Sequence, residues 1–91
     1  MTVRWSPEAA ADFAAIVEYI RKQNAPAAGR VARKIYEGVA VLASFPEHGR
    51  SGRIQGTREL VFSPLPYVAV YRVKDEVVEI ARVLHGAQRW P

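Results

Sequence analysis

The 91-residue chain contains no cysteine, which removes disulfides and thiolate metal sites and suits a reducing cytoplasm. No apolar run reaches the roughly 18 residues of a membrane span. The start, Met1-Thr2-Val3-Arg4-Trp5-Ser6-Pro7, lacks the apolar core of an export signal. Neither a membrane nor export is therefore expected. Histidine occurs twice, as His48 and His85, too few and too separate to hold a metal, and no cofactor motif is present. Repeats, low-complexity segments and linkers are also missing, so residues 1–91 read as one domain. Acid is in short supply: nine Asp and Glu stand against thirteen Lys and Arg, for a net charge of +4. Ten of those cations are arginine, the side chain shaped for carboxylate and phosphate forks. An acidic partner is implied, either nucleic acid or an acidic protein segment.

What is present reads in order. Val3 and Trp5 alternate with Thr2 and Arg4, a short strand. Ser6-Pro7-Glu8 supplies an N-cap, a proline at the first helical position and an acid in the first turn. Ala9, Phe13, Ile16, Val17 and Ile20 then fall on one face of a helix expected from about Pro7 to Gln23. Pro26 opens a second helix with an apolar stripe through Ala28, Val31, Ala32, Ile35, Val39 and Leu42. It is expected to end near Ser44, because Pro46 disfavours helical angles at Phe45. So short a break implies an antiparallel helix hairpin.

Residues Pro46 to Gly56 form a loop with Gly49, Gly52 and Gly56 around Arg50 and Arg53. With Arg58 just beyond, these arginines are candidates for phosphate contacts, although the spacing is not that of a P-loop. Three strand patterns follow, Thr57–Ser63, Tyr67–Lys74 and Val77–Leu84, and their short connections make an antiparallel meander. The expected architecture is thus α+β, in the order β-α-α-β-β-β, with the hairpin packed on one face of an antiparallel sheet. A two-residue turn at Asp75-Glu76 places Arg72 opposite Glu79 and Ala69 opposite Arg82. On that register Val68, Val70, Val77, Ala81 and Val83, joined by Leu60 and Phe62, lie under the helices. Glu59, Tyr67, Tyr71, Ile80 and Arg82 occupy the open face.

The closing stretch from Ile80 to Pro91 runs an apolar strand into Arg82, His85, Gly86, Gln88, Arg89 and Trp90. Polar groups at the end of a buried strand are a common way to mount function on a rigid scaffold. Each also has a structural reading: Arg82 as an ion pair, for instance with Glu59, His85 as a turn residue, Arg72 as a partner of Glu79 and Trp90 as a packing residue.

Several junctions together resemble a known group. Trp5-Ser6-Pro7-Glu8-Ala9, Phe45-Pro46 before Gly49-Arg50, Gly56-Thr57-Arg58-Glu59-Leu60, Pro66-Tyr67 and Arg82-Val83-Leu84-His85-Gly86 resemble the RelE/ParE toxin superfamily, most closely its ParE branch. The resemblance covers essentially the whole length and rests on the order and spacing of these pieces. It implies the toxin half of a bacterial type II toxin–antitoxin pair, held by a cognate antitoxin. It also implies one of two targets: DNA gyrase for ParE-like members, or messenger RNA on the ribosome for RelE-like, metal-independent nucleases. A relative that binds antitoxin without being toxic is a third reading.

RNA cleavage without metal needs a base for the ribose 2′-hydroxyl, an acid for the leaving oxygen and cations on the phosphate. The resemblance assigns the cation to Arg82, and His85 has the intrinsic range of an acid. Glu59 and Lys74 are the nearby base candidates. Where RelE carries a tyrosine six residues beyond the arginine, this chain has Gln88, which cannot act as an acid. Gyrase inhibition needs no catalytic group, so that reading is preferred. Tyr67, Tyr71, Arg72, Arg82, Arg89 and Trp90 are the expected surface for antitoxin or target, with Arg82 and His85 catalytic if the chain is a ribonuclease.

Overall fold

The computed structural model describes residues Met1–Trp90; Pro91, the last residue of the expected domain, lies outside the described residues. The elements are β1 (Thr2–Trp5), α1 (Pro7–Gln23), α2 (Ala25–Val41), β2 (Arg50–Ser51), β3 (Arg58–Val61), β4 (Tyr67–Lys74) and β5 (Val77–His85). The Ser6 hydroxyl accepts the Ala9 N–H at 3.0 Å and so caps α1. Asn24 serves both helices of the hairpin. Its N–H donates to the Ile20 carbonyl, ending α1, and its side chain accepts from Ala27, starting α2. Helix α2 stops three residues short of the expected Ser44, and tight turns fill the interval before Pro46. No helix among the described residues is long and apolar enough to cross a membrane.

The sheet order is β1-β5-β4-β3-β2. The expected architecture is present, with a short extra strand, β2, inside the glycine loop. The sheet is mixed, because β1 runs parallel to β5 while the other pairs are antiparallel. Helices and meander separate β1 from β5 in sequence, so no tight turn forces them to run antiparallel. The helices cover one face. Ala9, Ile35, Val39 and Leu42 meet Leu60, Phe62, Ala69, Tyr71, Val78, Ile80 and Val83, all buried. At the hairpin's far side Gly38 lets Phe62 close in, since a Cβ there would sit 2.8 Å from the ring.

The expected faces hold in part. Leu60, Phe62 and Val83 face the helices, and Glu59 and Arg82 pair with residues of the opposite face. Tyr67, Tyr71 and Ile80, expected in the open, pack instead toward the helical core, and Val68 and Val70 take the other side. Two features cause the exchange. Both faces of β4 are apolar, so alternation does not mark which is buried. A bulge then interrupts the ladder: Tyr71 pairs with Ile80 but Val70 pairs with Arg82, leaving Ala81 unpaired. The expected Ala69–Arg82 pairing is therefore replaced by Ala69–Val83, whereas Arg72–Glu79 is as expected.

Tyr71 can be buried because its hydroxyl is satisfied. It accepts the Gly49 N–H and donates to the Pro46 carbonyl, both at 2.8 Å. Burial raises the phenol's pKa, while the Gly49 bond and the nearby Arg58 charge pull it back in part. Gly49 is required by this contact, since a Cβ would lie 2.7 Å from the hydroxyl and 2.9 Å from the Glu59 carbonyl.

Candidate functional site

The site grows from the end of β1. That strand stops at Trp5, opposite Ile80, and beyond it the outer edge of β5 needs other partners. Helix α1 provides them. The Ser6 hydroxyl donates to the Ala81 carbonyl at 2.9 Å, and the Asp12 carboxylate accepts the Val83 N–H at 3.0 Å. The same carboxylate accepts Arg82 through Nε at 2.6 Å and Nη2 at 3.1 Å. This bidentate pair raises the Arg82 pKa further above its ordinary range, chiefly through the hydrogen bonds. The ion pair expected between Arg82 and Glu59 is not the one formed. Asp12 was not singled out in the sequence, where it is one polar residue on the back of an amphipathic helix.

Glu59 is held elsewhere. It is 4% exposed, and its carboxylate accepts the Arg50 guanidinium at 3.1 Å and the Arg53 backbone N–H at 3.2 Å. Arg53 donates onward to the Trp90 carbonyl at 3.0 Å, and the Arg82 guanidinium carbon lies 5.6 Å from the Trp90 ring centre. Trp90 closes over Val68, Val70 and Leu84, leaving a cavity of about 10 Å³. Its indole Nε1 is buried without a hydrogen-bond partner among the described residues. The central part of the helix-free face, expected to be open, is thus covered by the end of the chain. Arg58 donates to the Glu47 and Gly49 carbonyls, so each of the three loop-region arginines is engaged in an internal contact.

His85 is the last residue of β5, paired with Tyr67, and leads into the turn that follows. Its Nδ1 accepts the Ala87 N–H at 3.1 Å, which places its neutral-state proton on Nε2. Its own N–H donates to the Gln88 side chain at 3.2 Å, and its ring meets Tyr67 edge-on. Lys74 pairs with Val77 at the far end of β4, four residues from the Val70–Arg82 pair, or about 13 Å along the strand. Arg72 and Arg89 are exposed. The structure therefore joins Arg82 with Asp12 and Trp90 and Arg53 with Glu59, and Glu59 and His85 border the same small cavity under Trp90.

A different surface was not anticipated from the sequence. Val41, Phe45 and Val61 are exposed apolar side chains, at 45%, 63% and 42%. Val41 and Val61 flank a groove of about 230 Å³ that also takes in Lys34, Gly38 and His48. His48 and Phe45 border an adjoining hollow. Strand β2 pairs with β3 only at Arg58 and Glu59, so the outer edge of β3 at Leu60 and Val61 has no strand partner among the described residues.

Comparison with known proteins decides the family. Residues 3–90 match the family described as the ParE toxin of the type II toxin–antitoxin system parDE. The chain belongs to the ParE toxin family. It is 43% identical over 89 residues to "Putative toxin Y4kP" of Sinorhizobium fredii, spanning 98% of this chain and 92% of that protein. It is 41% identical over 86 residues to Toxin RelE2 of Caulobacter vibrioides, spanning 94% and 96%. Among solved structures it resembles a chain of the chromosomal ParDE system from P. aeruginosa, with a TM-score of 0.84 and 30% identity over 93% of this chain and 95% of that one. This ParE-family chain is therefore a toxin of the type II toxin–antitoxin class, matched across nearly its whole length.

Proposed function

We propose that this toxin is held by a cognate antitoxin and, when free, inhibits DNA gyrase rather than cutting RNA. The observation that carries the choice of target is the Arg82–Asp12 pair. A phosphate approaching Arg82 must compete with a carboxylate already bonded through Nε and Nη2. The base candidate Glu59 is committed to Arg50, while His85 uses only Nδ1 and its backbone N–H in local bonds. Loss of one proton-transfer partner typically costs about 10²–10⁴ in rate, and here the base candidate is engaged. Gyrase inhibition asks for surface alone, and exposed Arg72 and Arg89 remain candidates for target contacts.

Supercoiling by gyrase and ribosome-dependent mRNA cleavage, run side by side with the purified toxin, test the target. Inhibition of supercoiling that survives His85→Ala is expected. RNA cleavage that disappears in both Arg82→Ala and His85→Ala, with supercoiling unaffected, would make those residues catalytic and overturn the reading.

The antitoxin site moves from the face around Tyr71 to the groove beside Val61. Tyr71 is buried and Arg82 is paired, whereas Val41, Phe45 and Val61 offer apolar area next to an unpaired strand edge. Such a surface suits an extended segment added to the sheet.

A further inference from the structure

A second surface lies at the opposite end of β4, and it has different chemistry. Arg4 of β1, Glu79 of β5 and Arg72 of β4 stand in one row across three strands, all on the helix-free face. Two interstrand gaps put about 10 Å between the Arg4 and Arg72 backbones. Lys74 follows two residues along from Arg72, and the four side chains border an open hollow of about 370 Å³ together with Asp75 and Val77. The carboxylate at the centre is already matched: Glu79 accepts Arg4 at 3.4 Å. Arg72 and Lys74 are exposed and form no ion pair among the described residues.

We propose that this face binds the phosphate backbone of duplex DNA, independently of whether gyrase is the toxin's target. The charge favours a polyanion, with three cations against two carboxylates in the hollow, and with Arg72 and Lys74 unpaired among the described residues once Arg4 is matched to Glu79. The composition argues against a protein segment, because Val77 is the single apolar residue lining the hollow and protein interfaces need a desolvated apolar centre. It also argues against a single strand, which is normally held by aromatic platforms, and no aromatic side chain lines this hollow. Phosphate contacts from Arg and Lys need neither feature, and they bind without regard to sequence.

Fluorescence anisotropy of a labelled 30-base-pair duplex with the full chain, at 50 and 200 mM salt, tests this. If Arg4, Arg72 and Lys74 each neutralise one phosphate, affinity should fall about 40-fold between the two salts. With Arg72→Ala and Lys74→Ala combined, the fall should shrink to about 3-fold and binding at 50 mM salt should weaken. Both residues are exposed, so the fold should survive, and circular dichroism verifies it. The charge-matched control Arg30→Ala with Arg33→Ala, on the exposed surface of α2, should bind nearly as the parent does. The proposal is overturned by no anisotropy change at 50 mM salt, by equal losses in the control, or by preferential binding of a polyglutamate peptide.

Discussion

Replacing Asp12 by alanine removes three hydrogen bonds at once, and their costs differ. The Val83 N–H belongs to a residue that is 2% exposed, and without Asp12 it has no acceptor. A stranded buried donor costs about 1–3 kcal/mol. The two bonds to Arg82 are worth less, because that side chain is 31% exposed and water can replace the carboxylate. Discounted for solvent, they contribute about 0.5–1 kcal/mol. The total, about 1.5–4 kcal/mol, is a large share of the roughly 5–14 kcal/mol expected for a domain of this size. It should lower Tm by about 8–20 °C.

Urea unfolding followed by circular dichroism should rank the variants. Asp12→Ala should cost most. Asp12→Asn should cost about 1 kcal/mol, since its amide oxygen can still accept from Val83 while the charge is lost. Arg82→Ala should cost about the same, because it leaves the edge bond intact. A double-mutant cycle isolates the Asp12–Arg82 coupling. If Asp12→Ala and Arg82→Ala cost equally and the double variant costs no more than either, the edge bond contributes nothing. The account of α1 as the closure of β5 would then be wrong.

Two further variants probe the supports of the site. Tyr71→Phe strips the acceptor from Gly49 N–H and should cost about 2 kcal/mol in the same assay. The folded-state pKa of Tyr71 is raised, so its contribution is complete below the unfolded value near 10 and is lost as pH climbs past it. The phenylalanine variant should therefore lose less stability than the parent above about pH 10, and parallel pH profiles would contradict the burial argument. Ser6→Ala removes both the α1 cap and a donor to Ala81, and should cost about 1–2 kcal/mol. Phe45→Asp with Val61→Asp, both exposed, should weaken antitoxin binding by about 10²-fold or more in calorimetry without altering the melting temperature. Unchanged affinity would place the antitoxin elsewhere.

The helix hairpin was legible because its signals are local. Ser6-Pro7 starts α1 through the bond from Ala9, and Pro26 sits in the first turn of α2, whose cap by Asn24 the structure adds. The span of β4 was legible too, since Asp75 and Glu76 both take positive φ in a two-residue turn. The orientation of β4 was not. Val68 and Val70 on one side and Ala69 and Tyr71 on the other are comparably apolar, so nothing local says which pair meets the helices. That decision lies in contacts distant in sequence, from Tyr71 to Gly49 and Pro46 and from Trp90 to the opposite face. The parallel pairing of β1 is equally non-local.

The bulge at Ala81 links the fold to the choice of mechanism. Without it, β5 would keep strict alternation and Arg82 would pair with Ala69, on the face of Tyr71 and the helices. One extra residue instead sets Arg82 opposite Val70, on the face that Trp90 covers, at the edge where Asp12 reaches it. The arginine thus acquires two neighbours, an aromatic ring and a carboxylate, and the carboxylate takes two of its five N–H donors. A catalytic cation must be free to strengthen its contacts as charge builds in the transition state. A guanidinium held by a carboxylate at 2.6 Å has already made its strongest contact in the ground state. The irregularity that secures the edge of β5 therefore also sets Arg82 between Asp12 and Trp90, the arrangement on which the proposed choice of gyrase over RNA rests.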